Sequence, residues 1–207
     1  MTIPDLLRRH RLVPVVVLDD AAHAEPLAEA LATGGLPVAE VTFRTPAAAE
    51  SIARMAAHGG VTVGAGTVLT PEQVDVAVEA GARFVVSPGF DAAVVRRCHE
   101  HGVTPLPGAV TATEIMAALA AGVTTVKFFP AGTSGGAKAV AALAAPFGQV
   151  SFVPTGGIDA TTAADYLGLS SVLAVGGSWM VPRAAVAAGE FDRVTDLVRA
   201  SVEAVAR

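Results

Sequence analysis

The sequence has little cysteine, little lysine and no long apolar run, and each shortage narrows what the chain can be. Cys98 is the only cysteine among 207 residues, so no disulfide can form within the chain, which favours the cytoplasm. No apolar run approaches the roughly 20 residues of a membrane-spanning helix. The run at residues 12–18 follows a basic cluster, as in a signal peptide, but Asp19 and Asp20 end it without a convincing cleavage site, so we interpret it as a strand.

Basic residues are also too few and too scattered for a nucleic-acid-binding surface. The net charge is −5, and no basic run could follow a phosphate backbone, so we expect no nucleic-acid partner. The five histidines lack the spacing of metal ligands. We therefore expect no metal cofactor, which disfavours metal-dependent chemistry.

The sequence does contain a regular alternation of short apolar runs with alanine-rich segments. With 52% hydrophobic residues, the chain can bury one substantial core, and we predict a single domain over residues 1–207. The apolar runs predict eight strands. Their ranges are 13–18, 37–43, 61–66, 83–88, 103–108, 124–129, 150–155 and 171–177.

The segments between these runs carry the start and stop signals of helices. Thr45 and Thr70 each precede a proline and are predicted N-caps. Thr111 and Glu114 have the spacing of a capping box. Strongly apolar strands that alternate with helices indicate a parallel sheet covered by helices.

Eight such units predict an α/β fold of the closed (β/α)8 TIM-barrel type, with a short extra helix in residues 1–12. A doubly wound open sheet is the alternative. That fold usually has a glycine-rich turn after its first strand, whereas residues 17–26 contain no glycine. In a barrel, active groups lie at the carboxyl ends of the strands, so polar residues there become the candidates.

A lysine interrupts the apolar strand TTVKFF, where an unpaired charge is hard to keep. The chain has only two lysines: Lys127 in this strand, and Lys138 on a predicted helix, which we interpret as a solvated charge. Because side chains alternate along a strand, Lys127 should point into the barrel, and so should Glu40 in AEVTFR. The two could form a structural ion pair, but buried pairs stabilise less than apolar packing. We therefore favour a nucleophilic amine with a carboxylate that shuttles protons.

Further candidates lie at the ends of other strands. Arg44 directly follows the second predicted strand and Thr67 follows the third, which predicts a clamp for a carboxylate. Thr67 could equally be a turn hydroxyl that satisfies the backbone. Pro88 and Pro107 end the fourth and fifth strands and either wall the pocket or only shape turns.

Glycine-rich turns end the seventh and eighth strands, in PTGGI and VGGSWM. Barrels of this type often bind phosphate at these two strand ends. The backbone N–H groups of Gly156, Gly157 and Gly177, with the Ser178 hydroxyl, are the predicted phosphate site. The simpler alternative is that these glycines only make tight turns.

Six motifs together resemble a known family, in order and well spaced from about residue 12 to the C-terminus. They are EVTFRT, VGAGTVL, SPGF, VKFFPA, FVPTGGI and GGSWMVP. The chain is similar to the class I 2-keto-3-deoxy-6-phosphogluconate (KDPG) aldolases, also described as 4-hydroxy-2-oxoglutarate aldolases. The resemblance implies a homotrimeric barrel that needs no metal, with Lys127 forming a Schiff base with the C2 ketone and Glu40 as general acid and base.

The resemblance also implies where the substrate, a phosphorylated 2-keto acid, would bind. It assigns the carboxylate to Arg44 and Thr67, and the phosphate to the two glycine turns. Phe129 and Thr155 would border the reacting carbons, with Thr155 linked to stereochemical control. From its place at a strand end, we add Pro88 to the candidate substrate-binding residues.

Three alternatives stay open at this point. The substrate could be the 6-phosphogalactonate epimer or unphosphorylated 4-hydroxy-2-oxoglutarate. The protein could be a phosphate-binding isomerase or epimerase that uses Glu40 as its base and Lys127 only for its charge. It could also be a sugar-phosphate-binding protein without catalysis, but that leaves the lysine in the apolar strand unexplained.

Overall fold

A computed structural model describes residues 1–206 and shows the predicted barrel. Each of the eight apolar runs overlaps one strand; seven runs contain the whole strand, and β1 begins one residue before its run. The strands are β1 (Leu12–Val16), β2 (Val38–Thr42), β3 (Thr62–Gly66), β4 (Phe84–Val86), β5 (Thr104–Leu106), β6 (Thr125–Phe128), β7 (Ser151–Pro154) and β8 (Val175–Gly177).

The strands form a closed ring in chain order, and all of their pairings are parallel. One sheet has the order β5-β4-β3-β2-β1-β8, and β6 pairs with β7. Isolated bridges complete the ring. Gly108 to Lys127 joins the end of β5 to β6, and the bridges from Phe152 to Val172 and from Thr155 to Gly176 join β7 to the segment that ends in β8. The ring therefore has no free edge, which is the arrangement of a (β/α)8 barrel and not of an open doubly wound sheet.

Helices surround the ring, and one precedes the first strand as predicted. A 3₁₀ turn at Ala21–His23 leads into the second helix. The helices are α1 (Ile3–His10), α2 (Ala24–Thr33), α3 (Ala48–His58), α4 (Pro71–Glu79), α5 (Ala92–Glu100), α6 (Ala112–Ala120), α7 (Gly136–Ala144), α8 (Ala163–Leu167), α9 (Arg183–Ala187) and α10 (Phe191–Val205). Within residues 1–206, none is long and apolar enough to cross a membrane.

Two of the three predicted helix starts are confirmed. The Thr70 hydroxyl accepts a hydrogen bond from the backbone of α4, and Thr111 forms a reciprocal capping box with Glu114 at the start of α6. The prediction for Thr45 was wrong, because α3 begins only at Ala48. The Thr45 hydroxyl instead donates to the Leu18 carbonyl, so it ties the loop after β2 to the loop after β1.

Strand alternation separates two sets of buried side chains. On β6, Val126 and Phe128 are completely buried on the side opposite to Lys127, which is the helix-facing side. Inside the ring, Glu40 pairs in register with Gly64 of β3. A Cβ atom at Gly64 would lie 2.3 Å from the ring of Phe84, so the absence of a side chain there lets this phenylalanine fill the interior.

Candidate active site

Lys127 and Glu40 meet inside the barrel. Lys127 Nζ lies 3.0 Å from Glu40 Oε1 and 3.3 Å from Oε2, although 87 positions separate the two residues. The side chains are 9% and 3% exposed, respectively. Burial removes both charges from water, and the free-energy cost of this desolvation can exceed the attraction between them. A pair this deeply buried therefore indicates a role other than stability.

A glycine of β3 makes room for this pair. Gly66 pairs in register with Thr42 of β2, and a Cβ at Gly66 would lie 2.3 Å from Glu40 Oε1 and 2.6 Å from Glu40 Cγ. Any larger residue would displace the carboxylate from the amine. Sequence reasoning did not include Gly66 among the site residues, although a glycine inside a strand is a known sign of close approach.

Phe129 lies beside the amine. The centre of its ring is 5.2 Å from Lys127 Nζ, within the range of a cation–π contact. The ring atoms Cδ2 and Cε2 pack on the turn after β7, since a Cβ at Gly156 would lie 3.1 Å from each of them. The half-buried ring thus connects the amine with the first glycine turn.

Arg44 lies past the end of β2 with its side chain held by a hydrogen bond. Its Nε donates to the Thr42 hydroxyl at 3.1 Å, and that hydroxyl donates to the Val16 carbonyl of β1 at 3.0 Å. Thr42 was not among the predicted site residues. Its inward parity with Glu40 and Arg44 was the available signal.

Thr67 lies at the adjoining strand end, directly after Gly66. It is half-buried and has a left-handed backbone, with φ of +58°, which is uncommon for a β-branched residue. The β2–β3 pairing continues to this point, because the Phe43 amide donates to the Gly66 carbonyl. The predicted clamp residues are therefore neighbours in position, but no hydrogen bond joins Arg44 to Thr67 within residues 1–206.

Thr155 directly follows β7 and has the same parity as the interior residues of that strand. It is 5% exposed, and its hydroxyl donates to the Val153 carbonyl at 3.3 Å. A Cβ at Gly176 would lie 2.3 Å from Thr155 Oγ1, so β8 has a glycine where it passes this side chain. The threonine is placed on the same inner surface as Lys127, whose strand pairs directly with β7.

The two predicted prolines have different surroundings. Pro107 is buried, and its carbonyl accepts the Lys127 amide at 2.9 Å, so it helps to hold β6 in the ring. Pro88 is exposed, and its carbonyl lies close to Gly108, where a Cβ would be 2.0 Å away. The loop after β4 thus packs directly on the end of β5.

The two glycine turns lie side by side because β7 and β8 are bridged at Thr155 and Gly176. Gly156 and Gly157 have φ values of +91° and +72°, which glycine adopts without strain. Gly177 ends β8, and Ser178 is exposed immediately after it. The loop after β6 is tied to the first turn, since the Gly132 amide donates to the Gly156 carbonyl at 2.9 Å.

Trp179 follows the second turn and anchors it. Its ring occupies the space in which a side chain at Gly177 would lie. The indole N–H donates to the Ser201 hydroxyl of α10 at 3.0 Å. Helix α10 is thereby linked to the turn after β8.

Potential metal ligands do not gather anywhere in the part of the chain that the structure describes. No group of three or more histidine, cysteine, aspartate or glutamate side chains there could hold a metal ion. Lys138, the other lysine, is exposed on α7, as predicted for a solvated charge.

A closed parallel barrel with an amine and a carboxylate paired in its interior defines a class of protein, the (β/α)8-barrel enzymes that carry a lysine among their strands. A family model for KDPG and KHG aldolases matches residues 3–197, where KHG is 2-keto-4-hydroxyglutarate, another name for 4-hydroxy-2-oxoglutarate. A 2-dehydro-3-deoxy-phosphogluconate aldolase of Treponema pallidum is 51% identical over 206 residues, which are 99% of this chain and 98% of that protein. The chain belongs to the KDPG and KHG aldolase family.

Two solved structures of relatives agree in fold along nearly the whole chain. The KDPG aldolase of Legionella pneumophila, with pyruvate captured as a covalent carbinolamine, is 37% identical with a TM-score of 0.93, over 97% of this chain and 98% of that one. The KDPG aldolase of Zymomonas mobilis with 3-phosphoglycerate is 44% identical with a TM-score of 0.89, over 95% and 93% of the two chains.

Proposed function

We propose that this protein is a class I aldolase that cleaves KDPG to pyruvate and glyceraldehyde 3-phosphate, and that it also acts on KHG. The observation that carries the proposal is the interior pair, with Lys127 Nζ 3.0 Å from Glu40 Oε1. An amine that is to attack a ketone must lose a proton, and the carboxylate is placed to take it. The pyruvate carbinolamine in the Legionella relative supports the same chemistry.

The first half of the reaction joins the substrate to the enzyme. Lys127 Nζ attacks the C2 carbonyl of KDPG, and the ketone oxygen takes a proton to give a carbinolamine. Glu40, directly or through one water, then protonates the departing hydroxyl group, which leaves as water. The product is a protonated imine, which withdraws electrons from the neighbouring carbons.

The second half breaks the carbon–carbon bond. Glu40, now a carboxylate, accepts the proton of the C4 hydroxyl while the electrons of the C3–C4 bond move toward the imine nitrogen. Glyceraldehyde 3-phosphate leaves, and an enamine stays on Lys127. The enamine takes a proton at C3, and water hydrolyses the resulting imine to free pyruvate and the original amine.

The ends of the substrate bind at strand ends around this pair. We place the carboxylate on Arg44 and Thr67, since a guanidinium with a hydroxyl suits a carboxylate. The phosphate would lie on the two glycine turns, at Gly156–Gly157 and at Gly177–Ser178, where backbone N–H groups can face an anion. The Zymomonas relative with 3-phosphoglycerate supports a phosphorylated ligand.

Three further residues would border the carbon chain of the substrate. Phe129 covers the amine on the side of the first turn, which would keep water from the imine. Thr155 projects from the neighbouring strand and would meet the carbons that carry hydroxyl groups, which suits a role in stereochemical control. Pro88 would form the outer wall on the side of β4.

Reduction with borohydride in the presence of pyruvate tests this proposal. We expect a covalent adduct, located by mass spectrometry on Lys127, in the native protein and in a Lys138→Gln control. Lys127→Arg should abolish both the adduct and KDPG cleavage. An adduct on Lys138 alone, or none, would contradict the mechanism, and activity that survives Lys127→Arg would point to an isomerase or epimerase that uses Glu40 as its base.

Kinetic comparison separates the substrates. We expect kcat/KM to be higher for KDPG than for KHG, because the glycine turns would add phosphate binding for KDPG. The 6-phosphogalactonate epimer carries the same phosphate, and we expect a lower kcat/KM for it because of the stereochemical control proposed for Thr155. Equal values for KDPG and KHG would show that the turns do not bind phosphate. A higher value for the galactonate epimer would reverse the assignment of stereochemistry.

We further propose that the enzyme needs no metal, is a homotrimer and works in the cytoplasm. Activity unchanged by EDTA would support the first point. Besides Met1, large exposed apolar side chains occur at Leu69, Val76 and Met116, which suits self-association. Light scattering should give three chain masses, and one chain mass with full activity would overturn the trimer.

A further inference from the structure

We propose that Thr42 is a positioning residue that aims the Arg44 guanidinium at the substrate carboxylate. The inference rests on the proposed function, since it deepens the role of Arg44 in that site. It is carried by two hydrogen bonds that meet at one buried hydroxyl. Thr42 is the last residue of β2 and is 2% exposed.

The Thr42 hydroxyl donates one hydrogen bond and accepts another, and its neighbours fix which group takes which role. A hydroxyl group has a single proton to donate, and here that proton goes to the Val16 carbonyl at 3.0 Å. The oxygen therefore presents a lone pair to Arg44 Nε, which donates to it at 3.1 Å. Because the carbonyl of β1 fixes the direction of the hydroxyl, the acceptor for Arg44 has a defined orientation.

The effect on Arg44 follows from the shape of its guanidinium group. Once Nε is engaged, the edge formed by the two Nη groups is left for a ligand, and that edge can bind a carboxylate through two parallel hydrogen bonds. Within residues 1–206, no hydrogen bond or ion pair engages these Nη groups. The side chain is exposed, so without Thr42 it would sample many rotamers and lose that freedom on binding.

The competing explanation is that Thr42 only joins β2 to β1. The chain contains a matched control for this role. The Thr45 hydroxyl donates to the Leu18 carbonyl, so it makes the same kind of link between the loops that follow the same two strands, but it accepts no hydrogen bond from any arginine within residues 1–206. A purely structural role predicts similar consequences for the loss of either hydroxyl.

Steady-state kinetics and borohydride trapping on five variants test the proposal. We expect Thr42→Val to raise KM for KDPG, and the pyruvate concentration for half-maximal trapping, by about 10-fold, while kcat changes by less than about twofold. Thr42→Ser keeps the hydroxyl and should restore both values. Thr45→Val should change neither. In an Arg44→Ala background, Thr42→Val should add no further effect, because the residue acts through the guanidinium.

Several outcomes would overturn the proposal. An unchanged KM in Thr42→Val, an equal rise in Thr45→Val, or effects that multiply in the double variant would each show that Thr42 does not position Arg44. If Thr42→Val fails to fold by circular dichroism, Thr42→Ala makes the same test without the added methyl group. Absence of any adduct in the unmodified protein would identify failure of the proposed function itself, and with it of this inference.

Discussion

At the scale of single residues, the interior pair depends on a residue with no side chain. Lys127 and Glu40 come from strands on different parts of the ring, and their contact requires space that β3 provides at Gly66. Glycine inside a strand ordinarily weakens it, because it adds no packing and has more freedom to lose on folding. Here the missing side chain is what lets the carboxylate reach the amine.

Gly66→Ala should therefore reduce catalysis more than stability. The added methyl group would lie 2.3 Å from Glu40 Oε1, so the carboxylate could not keep its position beside Lys127. We expect kcat to fall by about 100-fold, as for a displaced acid–base group, with roughly 1–3 kcal/mol lost from the free energy of unfolding. Gly148→Ala is the control, since a Cβ there meets nothing within 4 Å. Full activity in Gly66→Ala would show that the contact is not needed.

Cys98 provides a second residue-scale prediction. The thiol is buried in α5, and burial raises its pKa to about 12. Almost no thiolate forms near pH 8, so Ellman's reagent should not react with the native protein over minutes but should find one thiol per chain in urea. A fast reaction in the native state would mean that α5 opens readily.

At the scale of elements, an ion-pair cluster links two neighbouring helices. Asp75 of α4 accepts from Arg97 and His101, at or near the end of α5, each at 2.6 Å. These hydrogen bonds, the one from Arg97 above all, lower the pKa of the Asp75 carboxyl group. All three groups are partly solvated, so the cluster is expected to be weak and sensitive to salt.

The sign of the Asp75 shift predicts how this link depends on pH. In the unfolded chain the carboxyl group titrates near its ordinary value of about 4, above its value in the folded protein, so the unfolded state binds more protons in that interval. The stabilisation is therefore complete above about pH 5 and is lost as pH falls through the lowered folded value. In thermal unfolding at pH 7, the melting temperature of Asp75→Asn should be lower than that of the native protein.

The same melts contain their own control. Glu79→Gln removes a carboxylate from the same helix at an exposed position without disturbing the cluster, and should leave the melting temperature nearly unchanged. The difference in melting temperature between Asp75→Asn and the native protein should become smaller toward pH 3 and in high salt. A deficit that is independent of pH would assign the effect to packing and not to the charge.

At the scale of the whole molecule, the barrel joins its two sheets through few hydrogen bonds. The ring closes through isolated bridges at Gly108, Phe152 and Thr155, yet buried apolar residues from both sheets and from the surrounding helices form one hydrophobic cluster. The core is shared in this way, so neither sheet can lose its packing without exposing the other. We therefore propose that the barrel is a single domain.

Cooperative unfolding is the consequence to test. In urea, the helical circular dichroism signal and the fluorescence of Trp179 should change with the same midpoint and slope, because the tryptophan joins the β8 turn to α10. Two transitions, or a fluorescence change well before the loss of helix, would show that part of the barrel unfolds alone. Repeating the measurement at several protein concentrations separates subunit dissociation from unfolding.

Much of the fold could be predicted because its signals are local. Strand positions followed from apolar runs, and the starts of α4 and α6 followed from residues within one turn. Thr45 shows the limit of that reasoning. It has the same local pattern as Thr70, but its hydroxyl binds the Leu18 carbonyl, a group that local sequence does not place beside it.

For the candidate site, too, some features follow from local sequence and others depend on tertiary contacts. The sequence by itself determined that Lys127 and Glu40 face inward, because alternation of side chains is a property of each strand alone. Tertiary structure decided that the amine and the carboxylate are in contact, that Gly66 makes space for them, and that Thr42 joins Val16 to Arg44. These facts depend on the register between strands and on the closure of the ring, which bring together atoms far apart in the chain.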